Sequence, residues 1–380
     1  MSEPLDLSYR LLASRYLRKQ AKQLAEQFEG LRKADDIEYV HRARVASRRL
    51  RAALKMFRGC FEKRLMKKWA KQIKAVTQDL GDARDKDVQI EFLCGVLGDV
   101  TDKACAPGIA RLLAELEHER ENLQPGVLKA VRRLEASKVL EEMQSAAKVL
   151  LADAKSEVET YGPAACEPTR PYILRGLQDL LHYEPGLDDP EDHDRHHAMR
   201  IAAKRFRYTL EIARPAYSGD LDPMIDAVKK VQTLLGDIHD CDVWQDHITA
   251  FAEDEKARVM AHFGSMGRYA HLEPGIEHLR KERHERRCQL FRELVAFWQE
   301  LTRQGMWDRL VRVVQTRSGQ PGAAGSSPVV SLPTEVTSPA SAAPPVAEHA
   351  PTPPPPKLLA VPRKANGTPP RDPRPAILPR

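Results

Sequence analysis

An internal repeat, built from two different motifs in the same order, constrains the fold of this chain more than any other feature. "HRARVASRRLRAALKMF", from His41 to Phe57, returns as "HAMRIAAKRFRYTLEI" from His197 to Ile212. At an offset of 156, His41, Arg44, Arg48, Arg49, Arg51 and Leu54 fall on His197, Arg200, Lys204, Arg205, Arg207 and Leu210. At an offset of 155, "LGDARDKDV" (80–88) falls on "LGDIHDCDV" (235–243). Chance similarity between low-complexity helices rarely reproduces two motifs, their order and their separation. The chain therefore reads as two copies of a helical unit of roughly 150 residues, joined near 160–170.

Apolar residues recur at helical period from Ser8 to about Val314, and no segment alternates over the length of a strand. Breaks are expected at Gly30, Gly59, Gly81, "APG" (106–108), "QPG" (124–126) and "YGPAACEPTRP" (161–171). Further breaks are expected at "YEPGLDDPEDHD" (183–194), "YSGDLDP" (217–223), Gly236 and "LEPG" (272–275). The last segment, Ile276 to about Val314, reads as one long helix or as two broken at Gly305. Of the 28 prolines, 17 lie beyond residue 318, four of them in "PPPP" at 353–356, and large apolar residues become sparse there. Such a segment cannot bury enough surface to offset its ordering entropy. The expected organisation is an all-α domain over 5–315, with repeat one at about 5–160 and repeat two at about 168–315. A disordered, Pro-rich tail is expected at 316–380.

Six cysteines (Cys60, Cys94, Cys105, Cys166, Cys241, Cys288) lack any Cys-x-x-Cys spacing, as expected of reduced thiols in a cytoplasmic protein. "MSEPLDLSYRLLASRYLRKQ" lacks the apolar stretch of a secretory signal, and no run approaches the length of a membrane span. The formal net charge of +6 is mild, so an anion site has to come from local arrangement.

That arrangement is the helical stripe. With His41 as zero, Arg44, Arg48, Arg51 and Lys55 fall within about 80° of helix circumference, while Leu50, Leu54 and Phe57 lie around the opposite side. In the second copy His197, Arg200, Lys204 and Arg207 form the stripe and Phe206 and Leu210 point away. A merely soluble face interleaves acids, because like charges at i,i+3 and i,i+4 cost roughly 0.2–0.5 kcal/mol per pair. Acids from another helix, or an anionic ligand, must offset the repulsion. Gly81 and Gly236 are expected to close one helix, with Asp82 and Asp237 capping the next. Asp85 and Asp240 could then hold arginines by bidentate pairing.

Arginine forks match phosphate oxygens and stay charged at any physiological pH. No Gly-rich phosphate loop follows a strand, which leaves a nucleotide-binding reading with little support. Nucleic acid would want aromatic or polar readers among the cations, for which only Phe206 and Tyr208 qualify. An extended, all-phosphate polymer suits the rows best.

The two basic motifs and the two "LGD..D.DV" motifs resemble those of the CHAD family, the conserved histidine α-helical domain, over about residues 5–315. The resemblance implies two pseudo-symmetric four-helix bundles with basic surfaces facing a central groove or pore. A long C-terminal helix accompanies them in this chain. It also implies non-enzymatic binding of inorganic polyphosphate and association with polyphosphate granules, alongside polyphosphate-metabolising enzymes or granule proteins. Carried over position by position, the basic motif falls on His41, Arg44, Arg48, Arg49, Arg51, His197, Arg200, Lys204, Arg205 and Arg207. Lys55 extends the first row. Two departures stand out: Glu211 matches Lys55, and His239 matches Arg84. Arg49 and Arg205 lie off the stripe and are expected to pair with neighbouring helices.

Lys67, Lys71, Lys74, Lys229, Lys230 and Arg287 are secondary phosphate-binding candidates. A nucleic-acid-binding protein is the rival reading, and a metal-dependent phosphohydrolase at His239-Asp240 a more remote one. Against the latter, the first copy has Arg84-Asp85 there, and arginine beside a divalent cation is poor chemistry. No cofactor, metal or catalytic residue is assigned. His193 and His196 read as part of an acidic helix N-terminus. His41 and His197 are expected to protonate beside a bound polyanion, so that binding tightens as pH falls from about 7.5 to 6.

Overall fold

The computed structural model describes residues 7–34, 36–155 and 163–317. Helices account for nearly all of them and no strand occurs among them. In chain order they are α1 (Leu7–Ala25), α2 (Phe28–Lys33), α3 (Glu38–Met56), α4 (Lys63–Asp99), α5 (Ala106–Ala136) and α6 (Val139–Lys155). These are followed by α7 (Cys166–Leu181), α8 (His193–Ala213), α9 (Asp222–Phe263), α10 (Glu273–Arg303) and α11 (Met306–Arg317). Residues 156–162, at the start of the expected junction near 160–170, and the Pro-rich tail beyond Arg317 lie outside the described residues, while Pro163–Ala165 and the first turns of α7 occupy the rest of the junction. No helix among the described residues is long and apolar enough to cross a membrane.

Helix α1 packs on α3 and α6, α3 on α4, and α4 on α5. Likewise α7 packs on α8 and α11, α8 on α9, and α9 on α10. The main core takes the apolar faces of these helices, with Phe57, Trp69, Phe206 and Tyr217 fully enclosed. A second core forms where the far ends of the long helices meet. Leu93 of α4, Ile109, Leu112 and Leu116 of α5, Trp244, Ile248 and Phe251 of α9, and Ile276 and Leu279 of α10 close on one another.

Several expected breaks do not occur. Helix α4 runs unbroken through Gly81 and α9 through Gly236, so Asp82 and Asp237 are mid-helix residues and cap nothing. A glycine costs about 1 kcal/mol in a helix interior, which long buried faces on both sides outweigh. At Gly81 the bare backbone also faces a side chain, since an added Cβ would lie 3.7 Å from Arg44 Nη2. Helix α5 likewise continues through exposed Pro125, because Leu112 and Leu116 before it and Val127, Val131 and Leu134 after it are all buried. Gly30 and Pro171 also sit inside helices, α2 and α7. Gly305, at φ 63°, does divide α10 from α11.

Two features tie the long helices together. Near the start of α5 and of α10, Gly108 and Gly275 approach closely. A Cβ on Gly108 would fall 2.1 Å from the Leu272 carbonyl oxygen, and one on Gly275 2.1 Å from that of Cys105. The last aspartate of each repeated motif is the second feature. Asp87, 2% exposed, accepts a hydrogen bond from Arg120 Nε at 2.6 Å, and Asp242 accepts one from Arg287 Nε at 2.6 Å. Arg287 is itself only 4% exposed. It was expected as a phosphate contact; burial and the Asp242 pairing make it an internal strut instead.

Gly108→Ala or Gly275→Ala should destabilise the protein by about 1–3 kcal/mol through backbone overlap. Gly95→Ala, with nothing within 4 Å of its added methyl, should be neutral or stabilising by up to about 1 kcal/mol. Urea titration of the three variants checks this. Arg287→Ala leaves half-buried Asp242 with His193 as its remaining partner and should cost about 1–3 kcal/mol in the same assay.

Candidate anion-binding site

The site forms where α3 meets α8. On α3, Ala43, Ala46, Leu50, Ala53 and Leu54 are buried; on α8, Ala202, Ala203, Phe206 and Leu210 are buried. With those faces committed to the core, each helix can turn its charged stripe only outward. Arg44, Arg48, Arg200, Lys204 and Arg207 are half-buried, whereas Arg51, Lys55 and Arg205 are exposed.

The two stripes come together as one cluster. Lys204 lies among Arg48, Arg200, Arg44 and Arg205; burial first, and then these guanidinium groups, push its pKa down to about 7. Arg51, beside Arg48 and Arg205, and Arg44, beside Arg48 and Arg84, are also shifted down, again with burial as the largest cause. Acids compensate only in part. Arg44 Nη1 donates to Asp85 Oδ1 at 2.7 Å, a single rather than bidentate contact. Asp240 lies near Arg200 without closing to ion-pair distance, and loss of solvation raises its own pKa. Among the described residues, Arg48, Arg51, Arg200, Lys204 and Arg205 form no ion pair. The Nε atoms of Arg44, Arg49, Arg200 and Arg207, and Nη1 of Arg84, are buried without a hydrogen-bond acceptor in the protein. A desolvated N–H left unpaired costs about 1–3 kcal/mol, and the unpaired guanidinium groups of the same cluster have the geometry to accept several anionic oxygens as partners.

The residues off the stripe divide. Arg49 does pair with the neighbouring helix, with Nη2 3.3 Å from Glu211 Oε2, and Arg207 Nε lies 3.5 Å from the other oxygen of the same carboxylate. Arg205, expected to do likewise, instead joins the cluster beside Arg51 and Lys204. Its place depends on the angle at which α8 meets α3, which a single-helix wheel does not contain. Lys55 projects at the end of α3.

Each motif histidine meets the position that differs between the repeats. His41 lies near Arg84, and burial followed by that charge lowers its pKa. His197 Nδ1 is 3.2 Å from His239 Nδ1. Burial, Arg200, His197 and Lys204 together depress His239 to about 4. Arg84 and His239 are therefore functional candidates that the basic motif alone does not include. The signal for them was present in the sequence, at equivalent places one residue before Asp85 and Asp240.

The remaining candidates lie apart from the cluster's centre. Lys67, Lys71 and Lys74 are exposed on α4 and form no ion pair with described residues. Lys229 and Lys230 are exposed on α9, and Lys230 Nζ sits 4.1 Å from the centre of the Phe297 ring. Asp237 is exposed, with Arg286 and Arg283 nearby. At the start of α8, Asp192 caps the helix by accepting from the Arg195 amide at 3.1 Å. His196 is buried, its Nε2 donating to the Gly186 carbonyl at 2.8 Å, and His193 Nδ1 lies 3.0 Å from Asp242. Tyr208 is buried as well as Phe206, so neither aromatic ring offers a face for a base to stack on.

This architecture has known relatives. The family model described as the CHAD domain matches residues 15–249. The crystal structure of the CHAD domain from the plant Ricinus communis shares the fold at 20% identity and a TM-score of 0.54, covering 78% of this chain and 94% of that one. PptA from Streptomyces chartreusis is more distant, at 16% identity and a TM-score of 0.48, over 74% of this chain and 98% of that one. No curated protein sequence matches the chain. With its repeated basic helices packed on each other and a family match across most of the helical region, the chain belongs to the CHAD domain family.

Proposed function

We propose that the protein is a non-enzymatic binder of inorganic polyphosphate, using the cationic cluster at the α3–α8 contact. The CHAD family is polyphosphate-related. The observation that carries the reading is the grouping of Arg48, Arg51, Arg200, Lys204 and Arg205 from two helices with no acid paired to any of them. Polyphosphate carries charge on every unit and nothing else, and so matches a row of forks without needing base readers. The buried Tyr208 and Phe206 weigh against single-stranded nucleic acid, whose binding draws on stacked aromatic rings. A divalent ion at His239-Asp240 would sit against the charges of Arg200 and Lys204, which weighs against metal-dependent hydrolysis. In the cell such a module belongs in the cytoplasm at polyphosphate granules, beside the enzymes or structural proteins that handle the polymer there.

Arg48→Glu combined with Lys204→Glu should weaken polyphosphate binding by about tenfold or more per residue, given the strength of charged hydrogen bonds. Helical circular dichroism should be retained. Competition by single-stranded RNA or duplex DNA at equal phosphate concentration, across several salt concentrations, should be much weaker than competition by polyphosphate. Equal competition would overturn the assignment.

The affinity should also depend on pH with a definite sign. In the free protein Lys204 titrates near 7, and a bound polyanion raises it toward the ordinary lysine value of about 10.4. Binding therefore takes up a proton between these two values, and affinity should rise as pH falls from about 9 to 7. His41, His197 and His239, all lowered in the free protein, extend the same trend to more acidic pH. Calorimetric titration in buffers of different ionisation enthalpy measures the uptake, and Lys204→Met should flatten the alkaline part of the profile.

A further inference from the structure

A long polyphosphate chain seated at the α3–α8 contact has to leave it along some surface, and the two halves of the molecule offer different ones. Helices α3 and α4 are joined by a short turn and packed together, with the Arg44–Asp85 hydrogen bond fixing their register. Counting back from Asp85 at 100° per residue, Lys74, Lys71 and Lys67 fall at about −20°, +40° and 0°, the same stripe of α4 that meets Arg44. Lys74 and Lys55 both stand eleven residues from the fixed pair, so they lie level with each other about 16 Å along their helices. Lys71 and Lys67 continue the row to about 21 and 27 Å. All four lysines are exposed, and none forms an ion pair with a described residue.

The matching positions in the second half have the opposite character. Lys55 corresponds to Glu211, Lys67 to Asp222 and Lys71 to Asp226; only Lys74 keeps its charge, as Lys229. Glu211 is held by Arg49 and Arg207, Asp222 by Arg214 Nε and Nη2 at 2.6 and 2.7 Å, and Asp226 lies near Arg214 as well. The acids here tie up Arg49, Arg207 and Arg214, so this surface offers a polyanion fewer unpaired cations than the lysine row of the first half.

We propose that polyphosphate leaves the site in one direction only, over Lys55, Lys74, Lys71 and Lys67, and that these lysines give the protein its preference for long chains. The proposal rests on polyphosphate being the ligand, and two chain lengths separate the two ideas. Tripolyphosphate and long-chain polyphosphate are titrated against wild type, against a Lys67→Gln, Lys71→Gln, Lys74→Gln variant, and against Lys229→Gln. Tripolyphosphate should bind wild type and the triple variant equally. Long chains should bind the triple variant more weakly, by about threefold per lysine and of order tenfold or more in total, with a shallower salt dependence. Lys229→Gln should have little effect on either ligand.

Long-chain affinity equal to wild type in the triple variant would overturn the one-sided path while leaving the binding site intact. Equal losses for both ligands, or a comparable loss with Lys229→Gln, would overturn it too. Wild type that binds neither ligand would remove the underlying reading and the proposal together.

Discussion

The constraint on which the rest of the structure depends is a like-charge contact. Helices α3 and α8 bring Arg44, Arg48, Arg51, Arg200, Lys204 and Arg205 together in a partly desolvated place, with few acids to answer them. Left alone, the two helices would separate or rotate their stripes apart. Their apolar backs prevent this, since rotating either helix would expose Leu50 and Leu54, or Phe206 and Leu210. The hydrophobic contribution of such side chains, about 1.5–3 kcal/mol each, exceeds the repulsion per charge pair at the surface. A single interhelical ion pair, Arg49 to Glu211, adds a direct tie across the contact.

The frame around the cluster uses charge in the opposite way. Asp87–Arg120 and Asp242–Arg287 each set a buried residue against a half-buried partner, are hydrogen-bonded, and join the long helices rather than facing a ligand. The repeated aspartate motif thus carries two jobs on one helix. Its middle acid, Asp85 or Asp240, faces the cationic cluster, and its last acid, two residues on, turns into the interior. Residues two apart point 200° away from each other on a helix, so one short motif can serve the site and the scaffold at once. Between the two copies Arg84 matches His239 and Lys55 matches Glu211, so equivalent positions of the motifs differ in charge.

Much of this was legible in the chain itself. Helical period, the absence of strand patterning and the direction of each stripe followed from local spacing, because a helix's faces are set by 3.6 residues per turn whatever it packs against. The errors have one source. Gly81, Gly236 and Pro125 read as helix ends because local propensity disfavours them, and burial on both sides overrode that preference. Arg287 read as a secondary phosphate contact from its charge alone, yet α10 turns it inward onto Asp242.

The sequence by itself determined that there would be two amphipathic basic helices, each obliged to hide one face and show the other. Only the tertiary structure decided that the two shown faces meet, that Lys204 sits among four arginines, and that Arg205 belongs to the cluster while Arg49 does not. The reason is physical: a wheel fixes directions around one axis, whereas a site is made by the angle and register between two axes. Those are set by long-range packing, including the close approach of Gly108 and Gly275, which nothing in either segment's local sequence records.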